Sequence, residues 1–427
     1  MARYVFLPFT PNLHFPKPNT ALCFAANRKR FMDSADRVML AVSGSCSAIR
    51  SFTLNSPLHV DSSHTKRWTR NVLNFKVSDF ILDKTAFESL VLDESACKTL
   101  VDLKLDGAFK IPMLLEDTSF PALKSLTLAG AHFCSLGSFE KLISACSLLE
   151  ELTVYWIFWE LWKCSHILSC PNLKRLSIIS LVNFVVELGS MSFDIPNLVY
   201  LDYSDDVQRQ YPVVRLDSLV EAKLELMVKY GDRDGCDPSN LFKALRHVQK
   251  LKQVSMQAEI IRIYAQIFDY YREAVPVFEN VSQLSLITDF GFCSSFLTLP
   301  SLPYVLKKFP NVHTLVIEGP LCGHDHSKIV CDCFSVDFVK LASPVKVLEL
   351  TINKGSSDEM EQVKRFLEDL SCLELVKVRS FPKDDEEKLS LATRLLMLPR
   401  ASSKCKIQVE FFSETSPRSC SYRMGKM

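Results

Sequence analysis

Apolar residues recur along the chain in one short phrase, in which an apolar residue is followed three and five positions later by two more. The middle position of the phrase advances from Leu103 to Leu201 in steps of 23, 26, 24 and 25 residues. Later steps, from Val254 to Leu348, are roughly 30 residues long. Copies lie at Ile49/Phe52/Leu54, Val72/Phe75/Val77, Phe87/Leu90/Leu92, Leu100/Leu103/Leu105, Leu123/Leu126/Leu128, Leu149/Leu152/Val154, Leu173/Leu176/Ile178, Leu198/Leu201/Tyr203, Glu221/Leu224/Leu226, Leu251/Val254/Met256, Val281/Leu284/Leu286, Val312/Leu315/Ile317, Val345/Leu348/Leu350 and Leu373/Val376/Val378.

The spacing of the last two apolar residues is typical of a β-strand, because alternate side chains of a strand lie on the same face. One such strand cannot bury its apolar face alone, whereas a stack of parallel strands aligns the leucines into a buried spine. The pattern therefore predicts an α/β leucine-rich-repeat solenoid, with a curved parallel β-sheet and helices on its convex side.

The segments between the phrases predict the turns and the outer helices. A Pro-Asn pair, as in Cys170-Pro171-Asn172, removes a backbone donor and supplies a side chain that bonds nearby backbone groups, so it ends one element and starts the next strand. Ser138–Cys146 and Asn240–Arg246 are predicted as helices, the first with a capping serine.

The residue between the last two apolar positions of each phrase is expected to point outward and to line the concave face. These residues are mixed and mostly small, without a run of cations to follow a phosphate backbone and without a convergent acid and base. The face is therefore predicted to bind a protein and no nucleic acid. Its expected members are Lys104, Thr127, Thr153, Ser177, Asp202, Ser285, Val316, Glu349 and Lys377.

Three features of the composition limit the expected classes of partner, activity and cellular compartment. The 50 Lys and Arg residues balance 49 Asp and Glu residues, so charge predicts no polyanionic or membrane partner. The 12 glycines are few for an enzyme built on phosphate-binding loops, and no nucleotide-binding or hydrolase motif occurs, so neither an enzyme nor a cofactor is expected. The 15 cysteines are scattered in apolar contexts, which indicates a reduced, intracellular protein, cytoplasmic or nuclear.

Two clusters carry candidate chemistry. Cys322, His324, His326, Cys331 and Cys333 could converge on zinc, but the spacing is not that of a standard site, so an exposed polar loop is favoured and no metal is predicted.

Trp156 and Trp159 belong to an aromatic run that follows a predicted strand. They are interpreted either as packing beneath the convex side, which is favoured, or as a contact surface for a partner. The Arg67-Trp68-Thr69-Arg70 segment is interpreted either as a platform of cations and an aromatic ring or as a structural linker before a strand, and the linker is favoured.

Several longer motifs resemble the plant F-box/FBD/LRR proteins. They are the phrase at 96–105, the Leu149–Leu152 phrase, the segment at 215–222, the segment at 343–350, and the C-terminal pair at 366–376 and 398–407. The resemblance implies an N-terminal linker or cap at 1–40 that follows a missing F-box, a repeat solenoid at 41–340 and an α+β FBD-like module at 341–412. Residues 413–427 are expected to form a disordered tail.

The resemblance implies the substrate-recognition part of an SCF-type (cullin/RING) E3 ubiquitin ligase, with an unknown target protein. The family phrase Asn12-Leu13-His14-Phe15 lies about where an F-box ends in these proteins. Contact with the ligase adaptor is therefore expected only if an F-box lies upstream. The alternative is a truncated interaction protein without ubiquitin-ligase function.

Overall fold

The chain forms two compact units in the computed structural model. The first unit comprises Met1–Leu219 and Cys236–Ala244, and the second comprises Val220–Gly235 and Leu245–Met427. The structure describes residues 12–15, 25–45, 49–55, 62–89, 98–111, 119–133, 138–155, 166–180, 189–227, 235–246, 260–264, 271, 273–287, 302–318, 343–352 and 355–412.

A ladder of parallel strands forms the centre of the first unit. Its strands are β1 (Asn12–Phe15), β2 (Ser51–Asn55), β3 (Asp79–Ser89), β4 (Asp102–Ile111), β5 (Ser125–Ala129), β7 (Glu151–Tyr155), β9 (Arg175–Ile179) and β11 (Tyr200–Asp206). Each strand pairs with the next one in this order, as the repeat pattern predicts. A short strand, β6 (His132–Phe133), extends the edge of β4.

The turn before each strand repeats one hydrogen-bond pattern. The carbonyl of Lys124 accepts bonds from the amides of Glu150 and Glu151, at 2.8 and 2.9 Å. The carbonyl of Glu150 accepts in the same way from Lys174 and Arg175, at 2.8 and 3.1 Å. Each repeat is thus joined to the preceding one by backbone hydrogen bonds as well as by side-chain packing.

The predicted spine is confirmed, with two corrections near its start. The phrase expected at Phe87/Leu90/Leu92 has no strand of its own among the described residues, because Phe87 belongs to β3, which pairs directly with β4, and Leu90 and Leu92 lie outside the described residues. The register aligns Phe52, Phe80, Leu103, Leu126, Leu152, Leu176 and Leu201 in a single row, and each is at most 3% exposed. The phrase expected at Val72/Phe75/Val77 is wrong, because Val72 lies in a helix. The strand of that repeat contributes Phe80 and Leu82, which follow Val77 with the same spacing.

Two helices, α1 (Ala25–Ser45) and α2 (Ser62–Leu73), accompany the first strands of the ladder. The Arg67–Arg70 segment belongs to α2 and is helical, where a linker was expected. Trp68 is 1% exposed, and its Nε1 donates to Oδ1 of Asp36 on α1 at 2.6 Å. The helix ends in a turn where Lys76 takes a φ of 57°, the left-handed conformation common just beyond helix C-termini.

Later repeats of the first unit carry short strands where the pattern predicts helices. The predicted helix at 138–146 is confirmed as α3 (Ser138–Ser144), and that at 240–246 as α4 (Ser239–Leu245). The repeats between them instead use β8 (His166–Ser169), β10 (Met191–Asp194) and β12 (Val214–Arg215), which form a second parallel sheet. Phe193 of β10 contacts Tyr203 on the buried face of β11, with ring centroids 5.4 Å apart.

The Pro-Asn turns connect successive repeats through their side chains. The Asn172 amide donates to the carbonyl of Ser147 at 2.8 Å, and the Asn197 amide donates to the carbonyl of Pro171 at 2.8 Å. Each asparagine therefore reaches back to the turn of the preceding repeat, which extends the predicted role of this residue from its own turn to the stacking of turns.

The second unit is also built on parallel strands. Its strands are β13 (Glu221–Met227), β14 (Ile260–Tyr264), β15 (Gln283–Ile287), β16 (Thr314–Glu318), β17 (Val347–Ile352), β18 (Leu375–Ser380) and β19 (Lys406–Phe411). Its helices are α5 (Leu302–Lys308), α6 (Ser357–Asp369) and α7 (Asp385–Leu396).

Two phrases of the second unit need correction. In this register Ala222 pairs with Ile261, and Lys223 pairs with Arg262. Ala222 and Leu224 therefore occupy the middle and last apolar positions of the repeat, and the expected phrase Glu221/Leu224/Leu226 is displaced by two residues. The small side chain of Ala222 hides this position from an apolar template. The phrase at Val254 lies outside the described residues, and Ile261 supplies the aligned apolar residue in β14.

Two helices of the C-terminal part begin with capping side chains. Ser356 and Glu359 form a reciprocal capping box at the start of α6, with bonds of 3.2 and 2.9 Å. Helix α7 begins at Asp385, because the Asp384 side chain accepts a hydrogen bond from the amide of Glu387 at 2.8 Å. Within the described residues, no helix combines the length and apolar character needed to cross a membrane.

Candidate protein-binding face

The register of the first unit brings the predicted outward residues together. Lys104, Thr127, Thr153, Ser177 and Asp202 occupy paired positions on β4, β5, β7, β9 and β11. Neighbouring strands lie about 4.8 Å apart, so these side chains form one continuous line across the sheet. We call this line of five residues the outward row.

Exposure varies along the outward row. Lys104 is exposed, and the hydroxyl side chains of Thr127, Thr153 and Ser177 are half-buried. Asp202, expected to point outward into solvent, is only 9% exposed. The position of a residue in its strand determines on which side of the sheet its side chain lies. The exposed fraction of that side chain also depends on neighbouring segments, which the alternation along one strand does not reveal.

A second line of outward residues was missed by the sequence analysis. Asp102, Ser125, Glu151, Arg175 and Tyr200 lie two positions before the outward row on the same strands. The Arg175 guanidinium carbon lies 4.3 Å from the centre of the Tyr200 ring, a cation–π contact. The period of two residues already implied this line, because each strand turns more than one side chain to that face.

Charged side chains of alternating sign lie along the edge where the strands of the first unit begin. Glu150 lies between Lys174, whose Nζ is 2.7 Å from its carboxylate, and Lys124, whose Nζ is 3.8 Å away. The hydrogen bond from Lys174 lowers the pKa of Glu150 below its ordinary value, so the carboxylate stays charged at neutral pH. All three side chains are at least one-third exposed, so this arrangement orients them more than it stabilises the unit.

The equivalent face of the second unit carries an ion-pair cluster. Glu349, whose side chain is 14% exposed, accepts bonds from Lys377 at 2.8 Å and from Arg379 at 2.9 Å. Arg379 also lies 3.8 Å from Glu410 on the next strand. The predicted outward residue Lys377 is thus held by Glu349, so the two act together and not as separate contacts.

Two other members of the predicted face are buried in the second unit. Ser285 is 4% exposed and Val316 is 8% exposed, although both occupy the row that leads to Glu349. The expectation that they line an open face is therefore wrong.

Both candidate chemistry clusters fall outside the described residues. This applies to Trp156 and Trp159 and to the Cys and His residues at 322–333. Within the described ranges, no group of His, Cys, Asp or Glu side chains has an arrangement that could hold a metal ion.

The described face suits distributed contact with another macromolecule. Hydroxyls, separate charges and an arginine–tyrosine pair can each form a modest contact with a partner, and aromatic and Arg residues are enriched among contacts that dominate binding. The outward row and the line beside it contain no nucleophile placed against a base, which is the arrangement that covalent or acid–base catalysis requires.

Comparison with known proteins gives consistent relatives, although no protein-family model matches the chain. The chain is 40% identical over 386 residues to an F-box/LRR-repeat protein of Arabidopsis thaliana, covering 85% of this chain and 62% of that relative. It is 38% identical over 358 residues to a putative F-box/LRR-repeat protein of the same plant, covering 80% and 79%. It is also 39% identical over 392 residues to an Arabidopsis F-box protein, covering 89% and 87%.

Proposed function

The chain belongs to the F-box/LRR-repeat proteins of plants, and on this premise we propose that it recognises a target protein for an SCF-type (cullin/RING) E3 ubiquitin ligase. Proteins of this family act in general as non-catalytic adaptors. The proposal therefore assigns binding, and no chemical step, to this chain.

The observation that carries the proposal is the register of the outward row. Five strands present side chains from Lys104 to Asp202 as one line, over a spine that is almost completely buried. A rigid backbone that offers variable side chains at fixed intervals suits recognition of one partner among many, because binding then costs little ordering of the face.

The proposal includes the other parts of the chain. Residues 41–340 act as the recognition solenoid, and 341–412 as an FBD-like module that closes its last apolar face. Binding takes place inside the cell, in the cytoplasm or nucleus, through protein contacts alone, without a cofactor, a nucleic acid or a membrane.

Co-purification from plant cells tests the proposal. The tagged full chain is compared with the double variant Thr127→Arg/Ser177→Arg, which places long charged side chains in the outward row. With any F-box that lies upstream included in the expressed protein, we expect the wild type to retrieve a target protein together with the ligase adaptor. We expect the double variant to lose the target and keep the adaptor, because only the binding face has changed.

The matched control is Ser147→Arg, at an exposed turn position away from the outward row. It adds the same side chain and should retain the target. Retrieval of a target without the adaptor would contradict the ligase role and leave a binding protein. Loss of the target from both variants would contradict recognition by the outward row.

A further inference from the structure

Helix α7 exposes apolar side chains on the face that points away from the unit. Leu389 is 72% exposed, Leu396 is 54% exposed, and Met397, the C-cap residue, is 80% exposed. Leu391 and Leu395, at 3% and 0%, form the buried face of the same helix. The helix therefore has one apolar face for its own core and a second one that no described residue covers.

The spacing on the exposed face is that of a helix-pairing seam. Leu389, Thr393 and Leu396 follow one another at intervals of four and three residues, and Met397 lies one turn beyond Thr393. The Thr393 hydroxyl donates to the carbonyl of Leu389 at 2.8 Å, so its polar group is already satisfied within the helix. We call Leu389, Thr393, Leu396 and Met397 the α7 stripe.

Charges of opposite sign stand at the two ends of the α7 stripe. Glu386 is exposed at the N-terminal end, and no hydrogen bond or ion pair joins it to another described residue. Arg400 lies just beyond the C-terminal end, and its guanidinium donates to the carbonyls of Leu396 and Cys405, at 2.9 and 3.0 Å. These acceptors are neutral oxygens, so the positive charge of Arg400 has no carboxylate beside it there.

We propose that the α7 stripe is a self-association site, at which α7 of a second copy of this chain packs in antiparallel orientation. A two-fold axis at Thr393 places Leu389 opposite Met397 of the second copy. The same axis places Glu386 opposite Arg400 of the second copy, and the symmetric pair forms as well. A sequence with an acid at one end, a base at the other and apolar residues between them is complementary to itself in this orientation.

The size of the seam predicts weak, reversible pairing. A helix of 12 residues is about 18 Å long, so the contact falls at the small end of specific interfaces. Two ion pairs at its ends contribute to orientation and are sensitive to salt. The inference stands apart from target recognition, because it uses a different element of the chain.

Sedimentation velocity on the full chain over about a hundredfold range of concentration tests the proposal. The wild type should shift from monomer to dimer as concentration rises, and less so at high salt. The double variant Leu389→Ser/Met397→Ser should weaken the association by roughly tenfold or more, because it removes both apolar side chains that meet at each end of the seam. Leu148→Ser, at an exposed leucine in the first unit, is the matched control and should dimerise like the wild type.

A charge exchange tests the antiparallel orientation. Glu386→Lys and Arg400→Glu should each impair self-association, since each places like charges together. Their equimolar mixture should restore it, because the mixed dimer contains two opposite-charge pairs. A wild type that stays monomeric throughout, a dimer unaffected by the Leu389→Ser/Met397→Ser change, or a mixture without restoration would each overturn the proposal.

Discussion

Replacing Leu176 with alanine tests the buried spine of the first unit at a fully buried position. Leu176 is 0% exposed and lies between Leu152 and Leu201 on the two neighbouring strands. Both neighbours are themselves almost fully buried, and their strands are fixed by backbone hydrogen bonds about 4.8 Å away on either side. The surroundings therefore cannot close the space that the shorter side chain leaves.

The expected cost follows from this enclosure. Buried Leu→Ala changes lower the free energy of unfolding by about 2–5 kcal/mol, with larger losses where the cavity stays open. For Leu176→Ala we expect the upper part of the range, about 3–5 kcal/mol. With a urea dependence of about 2 kcal/mol per molar, the midpoint of unfolding should fall by roughly 2 M.

Tryptophan fluorescence during urea unfolding measures the stability of the first unit, in which Leu176 lies. All four tryptophans of the chain lie in the first unit, so their emission follows that unit alone. Circular dichroism on the same samples follows the helices and strands of both units. The urea midpoint measured by fluorescence should fall. The part of the dichroism change that comes from the second unit should keep its midpoint.

Ser177→Ala is the matched control, one position along the same strand. Its side chain is half-buried on the outward row, so the change should alter the free energy of unfolding by no more than about 0.5 kcal/mol. Equal losses from the two substitutions would refute the assignment of faces. A loss below about 1 kcal/mol for Leu176→Ala would refute the buried spine.

Three further predictions concern single side chains. Asn197→Ala should cost about 0.5–1.5 kcal/mol of unfolding free energy by fluorescence, because it removes the bond to the preceding turn. Partial desolvation acts to raise the pKa of Asp36, but hydrogen bonds from Trp68 and Arg67 outweigh it and hold the pKa below the ordinary 3.8. Asp36→Asn should therefore be less stable than wild type at pH 7, and the difference should vanish as pH falls below 3.8, through the lowered pKa of the folded state. Gln362→Met should raise the stability of the second unit by about 1 kcal/mol in dichroism-monitored unfolding, because the Gln362 amide is fully buried and meets no hydrogen-bond partner among the described residues.

Each of these predictions has a contradicting outcome. An unchanged midpoint for Asn197→Ala would show that the asparagine bond does not hold adjacent turns together. A stability difference for Asp36→Asn that does not shrink as pH falls below 3.8 would trace the loss to packing and not to charge. A clear loss of stability for Gln362→Met would mean that the amide is satisfied in solution.

The repeat could be predicted from sequence because its signal is local and recurs many times. Leu126, Leu152 and Leu176 occupy the same place in their phrases, and the structure aligns them in register. The Val72 phrase failed because a few apolar residues fit a helix and a strand equally well over so short a stretch. Trp68 and Val72 lie four residues apart on the buried side of α2, which is a helical spacing.

The sequence predicts on which side of the sheet the binding face lies, but not how exposed its side chains are. Strand period alone places Thr127, Thr153 and Asp202 on one side of the sheet. Asp202 is nevertheless only 9% exposed, and a period of two residues does not report burial on the outward side. Glu349 shows the same limit, since its contact with Arg379 requires the register of two strands and the reach of a long side chain.

Photocrosslinking from the outward row tests the central claim most directly. A photoreactive amino acid replaces Thr153 in one sample and Ser147 in another, and both full chains are irradiated in plant cells before mass spectrometry. The account predicts that one protein is captured from position 153 and not from the turn at 147. Capture of the same protein with equal yield from both positions, or from 147 alone, would contradict recognition through the outward row.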